Sequence, residues 1–216
     1  MQKESLENAH KFKVWKSNLL ANGLTIHEIR EKYVKYRHNG EVLFALVELD
    51  ASLPEGGKIP SICFVKGSSV SVLICMEAEE TGEKYLLLVK QRRICDGSVI
   101  YEHAAGMIDK DDLPLEVAVR EVEEETGLKV RAEQVKPLHT KALYPSTGAC
   151  DEAIYLFYCE LKMPKADIFA FNNQHTGVIS EHEQIETCIV SISEAMELIT
   201  NTNGLLNIYM YLGEKK

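Results

Sequence analysis

The chain of 216 residues is 45% hydrophobic and 26% charged and carries a formal net charge of −9; this is the balance of an ordinary soluble globular protein, not of a disordered or membrane-spanning one. Its longest basic cluster runs only from Lys90 to Arg93, so no nucleic-acid or anionic-membrane partner is expected. No run approaches the roughly 18 apolar residues that a membrane-crossing helix needs.

Residues 6–22 set Leu6, Phe12, Trp15, Leu19 and Leu20 near helical spacing, with Gly23 as a stop. Phe12, Trp15 and Leu19 read as packing residues. Residues 1–20 hold no apolar stretch of the kind a secretory signal needs. Lys32 to Tyr36 and Glu41 to Leu49 read as two strands around the turn His38-Asn39-Gly40. Ser52 to Lys58, with Pro54, Gly56 and Gly57, reads as a linker. The expected organisation is therefore a helix-and-hairpin extension over 1–57 and a main domain over 58–216. In the main domain, strands are predicted at Val70–Glu77, Tyr85–Gln91, Val99–Glu102, Val135–Tyr144, Ala153–Leu161 and Glu186–Ser191. Helices are predicted at Pro114–Thr126 and Ser193–Thr200. An α+β domain with a mixed β-sheet sandwiched between helices follows. The six cysteines form no CxxC pair, which suits reduced thiols in a cytoplasmic protein.

Residues 106–128, GMIDKDDLPLEVAVREVEEETGL, carry the chemistry. Pro114 sits in the first turn of the helix and Gly127 just past its end, so both boundaries are marked. Leu115, Ala118 and Val122 give an apolar face, and Glu121, Glu124 and Glu125 share another. Three acids on one face repel, and are either solvated or gathered around a cation. Carboxylate oxygens suit hard Mg²⁺ or Mn²⁺, whose remaining positions are filled by phosphate oxygens and water.

This stretch resembles the Nudix family box, G-x5-E-x7-R-E-U-x-E-E-x-G-U with U a bulky aliphatic. Gly106, Arg120, Glu121, Val122, Glu124, Glu125, Gly127 and Leu128 match in register, and Asp112 stands where the family has its first glutamate. A carboxylate there can serve as an N-cap or accept a hydrogen bond. The resemblance implies a Nudix fold and makes Glu121 and Glu125 metal ligands, Glu124 a further ligand or metal-water contact, and Arg120 the residue that orients them. It adds the backbone carbonyl of Ala105 as another metal ligand.

Outside the box, VKQRR (89–93), YEHAAG (101–106) and YPSTGACDE (144–152) resemble the ADP-sugar and ADP-ribose diphosphatases, especially the plant-type ADP-sugar enzymes. By that resemblance Arg93 is a phosphate clamp and Glu102 a site-lining acid, with Gly106, Met107, Gly148 and Glu152 as further substrate contacts. The guanidinium fork suits bidentate phosphate binding. Thr147 and Ala149 depart from the branch's loop and leave the sugar open. HTGVISEHEQIE (175–186) resembles the segment that supplies a late glutamate as metal ligand or base, best matched by Glu183, with Glu181 the competing candidate. His103, His139 and His182 fall near these residues without metal-ligand spacing, and partly solvated or hydrogen-bonded roles are expected.

The implied activity is Mg²⁺-dependent hydrolysis of a small-molecule nucleotide sugar, an ADP-sugar or ADP-ribose, to a nucleoside monophosphate and a sugar phosphate. The alternatives are UDP-glucose or NADH as substrate, or a non-catalytic nucleotide-sensing module. The branch also implies a homodimer completed through the N-terminal strands.

Overall fold

In the computed structural model, which describes residues 3–110, 112–177 and 184–215, the chain packs into two compact units. One comprises Met1–Ser68, Met107–Asp112 and Leu143–Ile154; the other comprises Ser69–Gly106, Leu113–Ala142 and Tyr155–Lys216. Among the described residues no helix is long and apolar enough to cross a membrane.

The first unit begins with a helical turn at Leu6–Asn8 and helix α1, His10–Ala21. Strands β1 (Thr25–Tyr36), β2 (Val42–Ser52) and β3 (Ile62–Val65) follow, in the antiparallel order β1-β2-β3. Phe12 and Trp15 of α1 are buried in one core with Val42, Ala45, Val47, Leu49 and Ala51 of β2 and Val65 of β3. Their alternation along β2 is the period-2 signal of a strand with one covered face. The hairpin starts earlier than its sequence suggests, at Thr25 and not Lys32, because register shifts at Ile26/Glu28 and Glu31/Tyr33 break the alternation on β1. The stretch expected to be a linker is a turn: Leu53 N–H donates to Gly57 O at 3.1 Å, and Ser52 and Lys58 bridge. It delivers β3, four residues too short to stand out in the sequence. The stretch 143–154 then lies along the end of β3, with Phe64 N–H donating to Ala149 O at 2.7 Å.

The second unit is built on β4 (Ser69–Ala78) and β5 (Lys84–Arg92), followed by β6 (Val99–Glu102) and β7 (Ala104–Met107). Helix α2 (Pro114–Thr126), β8 (Val135–Pro137) and β9 (Ile154–Met163) come next. The chain then forms α3 (Lys165–Ala170), β10 (His175–Thr176), β11 (Ile185–Ser191), α4 (Ile192–Leu198) and α5 (Thr202–Glu214). The sheet order is β10-β11-β5-β4-β9-β8, with β6 beside β5 and β7 beside β4. Val70, Val72, Leu73, Ile74, Cys75 and Met76 of β4 are all buried. A strand buried on alternating sides needs cover on both, and α2, α3 and α5 pack on β4 while α4 packs on β5. The expected α+β sheet with helices against it is what forms.

Several elements of the second unit differ from the sequence reading, and α3, β7 and β10 were not expected. The strand expected over Val135–Tyr144 is only Val135–Pro137, although Leu138 N–H still donates to Leu156 O of β9 at 2.8 Å just past it. The second expected helix is Ile192–Leu198 and is capped by Ser191, which accepts from Glu194 N–H. Helix α5 was not expected; its buried Ile208 and Tyr211 and half-buried Leu205 are interrupted by Asn207, also buried. That polar interruption obscures the apolar stripe, and Asn207 is accommodated by donating to Ser71 Oγ of β4 at 2.8 Å.

Candidate active site

The sheet of the second unit parts at its centre. Lys84–Leu87 of β5 pair with β4, whereas Val89–Arg92 pair with β6, and β7 returns to β4. His103 occupies the joint between β6 and β7. It is buried, and Nε2 bonds Gly204 O of α5 at 3.1 Å while Nδ1 has no partner among the described residues. Burial lowers its pKa to about 4 against the opposing pull of that carbonyl, so the ring is neutral at pH 7. The partly solvated role is thereby excluded and the hydrogen-bonded one holds. Asn201, the N-cap of α5, accepts from Gly204 N–H at 2.7 Å and donates to Tyr101 O of β6 at 3.0 Å. The strands on either side of the joint are therefore tied to the first turn of α5.

Helix α2 lies against this joint. Pro114 opens it and Gly127 closes it at φ 72°, donating to Glu123 O at 2.9 Å. The N-cap position is Leu113, which has no side-chain cap, and not Asp112. Its buried stripe is Val117, Ala118, Val122, Glu125 and Thr126, with Val117 in the place expected for the half-buried Leu115.

The three glutamates are not equivalent. Glu125 is 3% exposed, and its Oε2 accepts the N–H of Ala105 at 2.9 Å. Glu121 is 14% exposed at its side chain and lies against Gly106: a Cβ on that glycine would stand 2.0 Å from Glu121 Cδ and 2.1 Å from Oε1. Glu124 is 43% exposed, 3.9 Å from Arg120 Nε, and Arg120 also reaches Glu121 Oε1 at 3.4 Å. The three glutamates that the sequence puts on one face are thus a graded set with Glu125 inside.

Among the described residues no three His, Cys, Asp or Glu side chains already surround one point. A hard divalent cation does not require such a cage, because one or two carboxylates with phosphate and water satisfy it. The donor set fits such an ion: carboxylate oxygens from two helical turns meet bare backbone at Ala105–Gly106, and the Cβ-free surface of Gly106 is the space Glu121 occupies.

Arg93 Nε donates to Glu102 Oε2 at 2.6 Å, so the β5–β6 hairpin carries both as one ion pair. Lys90 and Glu186 pair at 2.8 Å across β5 and β11; this hydrogen bond raises the lysine pKa and lowers that of the glutamate. At the far end of α2, Thr176 Oγ1 donates to Glu125 O and Gly177 N–H to Glu124 O at 3.4 Å. These carbonyls belong to the last turn of a helix, where intrahelical partners run out. The contact brings the start of the 175–186 segment to α2. Glu181, His182 and Glu183 themselves lie outside the described residues. Of the other candidate histidines, His139 is half-buried in a local turn, where Nδ1 lies 2.9 Å from Lys141 O. His103, Asn201 and Thr176 were not legible as anchors, since nothing in their spacing distinguishes them from ordinary polar residues.

In the first unit, Glu152 pairs with Lys66 Nζ, and Asp151 Oδ1 accepts from the N–H groups of Lys66 at 2.6 Å and Gly67 at 3.1 Å. Burial raises the Asp151 pKa against the pull of those N–H groups. Met107 is half-buried. Gly148 is exposed, and a Cβ there meets nothing within 4 Å, so no steric constraint demands glycine.

Comparison with known proteins agrees with this geometry. A model of the NUDIX domain matches residues 66–209. The chain is 32% identical over 164 residues to Nudix hydrolase 14, chloroplastic, of Arabidopsis thaliana, a match covering 72% of this chain and 52% of that protein. It is 29% identical over 161 residues to the ADP-ribose pyrophosphatase of Bacillus subtilis, covering 74% and 77% respectively. For the ADP-ribose pyrophosphatase of Haemophilus influenzae the match is 30% over 154 residues, 66% of this chain and 63% of that one. The chain therefore spans about half the length of the Arabidopsis relative. A solved structure of an ADP compounds hydrolase superposes with a TM-score of 0.56 at 14% identity, covering 88% of this chain and 93% of that one, a likeness of fold alone.

Proposed function

The chain belongs to the Nudix family, and from that premise we propose that it hydrolyses the diphosphate bond of a nucleoside-diphosphate sugar, an ADP-sugar or ADP-ribose, with Mg²⁺ or Mn²⁺ as cofactor. The products are a nucleoside monophosphate and a sugar phosphate. The observation that carries this reading is the packing of Glu121 against Gly106 beside the Glu125 to Ala105 hydrogen bond. Carboxylates are there held at fixed places next to bare backbone, the setting that hard-cation chemistry on a diphosphate requires. Two relatives named ADP-ribose pyrophosphatase support the substrate class.

In this reading Glu121 and Glu125, with Glu124 and the carbonyl of Ala105, hold the cation, and Glu183 completes the set as ligand or base. A bound divalent cation supplies neutralisation of diphosphate charge and a lowered pKa for the attacking water. Arg120 restrains the carboxylates, and Arg93, held by Glu102, offers its fork to a phosphate. Glu152 and the loop around Gly148 contact the rest of the substrate.

The 1–57 extension serves as the dimerisation element, supported by the position of β1 at the sheet edge; sedimentation at graded concentrations tests it. The six free thiols support a reducing compartment, here the cytoplasm.

The test is product release from ADP-glucose, ADP-ribose, UDP-glucose and NADH with Mg²⁺ or Mn²⁺, with and without EDTA, resolved by chromatography. AMP that appears only with metal is the expected result. Silence across the panel would overturn the reading.

A further inference from the structure

A metal ligand supplied by the backbone cannot be aimed by a side-chain rotamer; it stands wherever its strand is held. In the second unit Ala105, whose carbonyl is a proposed ligand, lies on β7. Its N–H is held by Glu125 Oε2 at 2.9 Å. Glu125 is itself a proposed ligand, so that hold is not independent of the cation. An independent support has to come from elsewhere in the unit.

Helix α5 provides one. Two residues before Ala105, His103 is 2% exposed, and its Nε2 lies 3.1 Å from Gly204 O. A carbonyl only accepts, so Nε2 carries the proton and donates, while Nδ1 has no partner among the described residues. A position that needed packing alone would take an apolar side chain and bury no unpaired nitrogen. The bond to Gly204 is what the imidazole adds. Two residues before His103, Tyr101 O accepts from Asn201 Nδ2 at 3.0 Å, and Asn201 Oδ1 accepts from Gly204 N–H at 2.7 Å. Glycine permits this turn, because a Cβ at 204 would stand 2.7 Å from Ile199 Cγ2 and 2.9 Å from Asn201 Oδ1. One turn further along α5, Asn207 donates to Ser71 Oγ of β4, the strand that β7 pairs with. Ile208 and Tyr211 are buried beyond it, so the turn that grips the joint belongs to a helix fixed along its length.

We propose that His103, with Asn201, is a positioning residue of the metal site, fixing the backbone of Ala105 and Gly106 against α5 whether or not a cation is bound. This role rests on the proposed metal-dependent hydrolysis. Two residues of chain span at most about 7 Å, too little to absorb a shift of the joint without moving Ala105. Groups that hold metal ligands in place typically change metal affinity by roughly tenfold to a hundredfold.

The experiment is calorimetric titration of the full chain with Mn²⁺ in the absence of substrate, for wild type, His103→Leu and His103→Gln. It is paired with urea denaturation and with kcat and KM for ADP-ribose over a range of Mg²⁺. His103→Leu keeps the volume and loses the bond; it should weaken Mn²⁺ binding about tenfold and raise the half-maximal Mg²⁺ by a similar factor, while KM for ADP-ribose at saturating metal stays within about twofold. His103→Gln, whose amide can donate to Gly204 O, should recover most of the Mn²⁺ affinity. A folded His103→Leu that binds Mn²⁺ as wild type does, even with a lower urea midpoint, overturns the positioning role and leaves the proposed function standing. Should His103→Leu not fold, Asn201→Ser decides: it keeps the cap of α5 and releases Tyr101 O, and unchanged Mn²⁺ affinity there overturns the role equally. If Mn²⁺ binding weakens as expected and yet wild type cuts no nucleotide of the panel, the positioning role stands and the proposed hydrolysis falls.

Discussion

The backbone N–H of Ala105 donates to Oε2 of Glu125 across 2.9 Å, and the carboxylate that receives it is 3% exposed. One acid of the glutamate-rich helix is therefore an internal acceptor for the strand beside it as well as a proposed metal ligand. Glu125→Gln keeps a carbonyl oxygen to accept that N–H and removes only the charge. Turnover should fall by orders of magnitude with little change in melting temperature. Glu125→Ala leaves the N–H without its acceptor, at a cost of about 1–3 kcal/mol. Denaturant titration of both variants beside a rate measurement separates the two roles; near-normal turnover in Glu125→Gln would remove it from the chemistry.

Gly106→Ala tests whether the site geometry depends on close approach. The added Cβ would meet Cδ and Oε1 of Glu121 at 2.0 and 2.1 Å, the far end of a flexible side chain. The carboxylate can swing away at small cost in stability, but it then leaves its place beside the backbone. Thermal melting should barely move, while the concentration of Mg²⁺ giving half-maximal rate should rise at least tenfold. An unchanged metal requirement would show that the position of Glu121 is immaterial.

Arg93 and Glu102 form a pair with side-chain exposures of 42% and 20%. Pairs this exposed contribute about 0.2–1 kcal/mol. Arg93→Ala should therefore raise KM strongly and shift the denaturation midpoint little, as expected of a phosphate clamp. A large loss of stability with KM intact would make the pair structural.

Asn201 bonds both Gly204 N–H and Tyr101 O. Asn201→Ala should cost about 1–2 kcal/mol, as loss of an N-cap does. Asn201→Ser restores the cap and not the tie to β6, so it should recover part of the stability. Equal stability of the Ser and Asn proteins in urea would show that the tie contributes nothing.

Acid stability should depend on Glu160. Its partial burial disfavours the charge, but hydrogen bonds from Lys215 at 2.7 Å, Tyr211 at 2.7 Å and Lys84 at 3.3 Å overcome this and hold the pKa at about 2, below the ordinary 4.5. A depressed folded-state pKa stabilises above the unfolded value and loses that contribution as pH falls from about 4.5 towards 2. Glu160→Gln should therefore be less stable than wild type at pH 7, with the difference shrinking across that window. A difference constant with pH would mean that the pair does not titrate with folding.

The residues settled by local rules were legible in the chain. Pro114 and Gly127 bound α2 because one lacks an N–H where none is needed and the other tolerates a positive φ. The strands from Val70 and Tyr85 were marked by β-branched and aromatic runs, and the spacing of Glu121, Glu124 and Glu125 put them on neighbouring positions of one helix. What local rules do not contain is which side of a helix meets the sheet. Glu125 is inside and Glu124 outside because β7 presents the N–H of Ala105 to one and not the other, an outcome of packing. The tie from Asn201 to Tyr101 spans 100 residues and that from His103 to Gly204 spans 101. Contacts of that separation leave no periodicity, so the chemistry of the box was written in the sequence, while its placement was decided by the tertiary structure, which alone brings distant backbone groups within hydrogen-bonding distance.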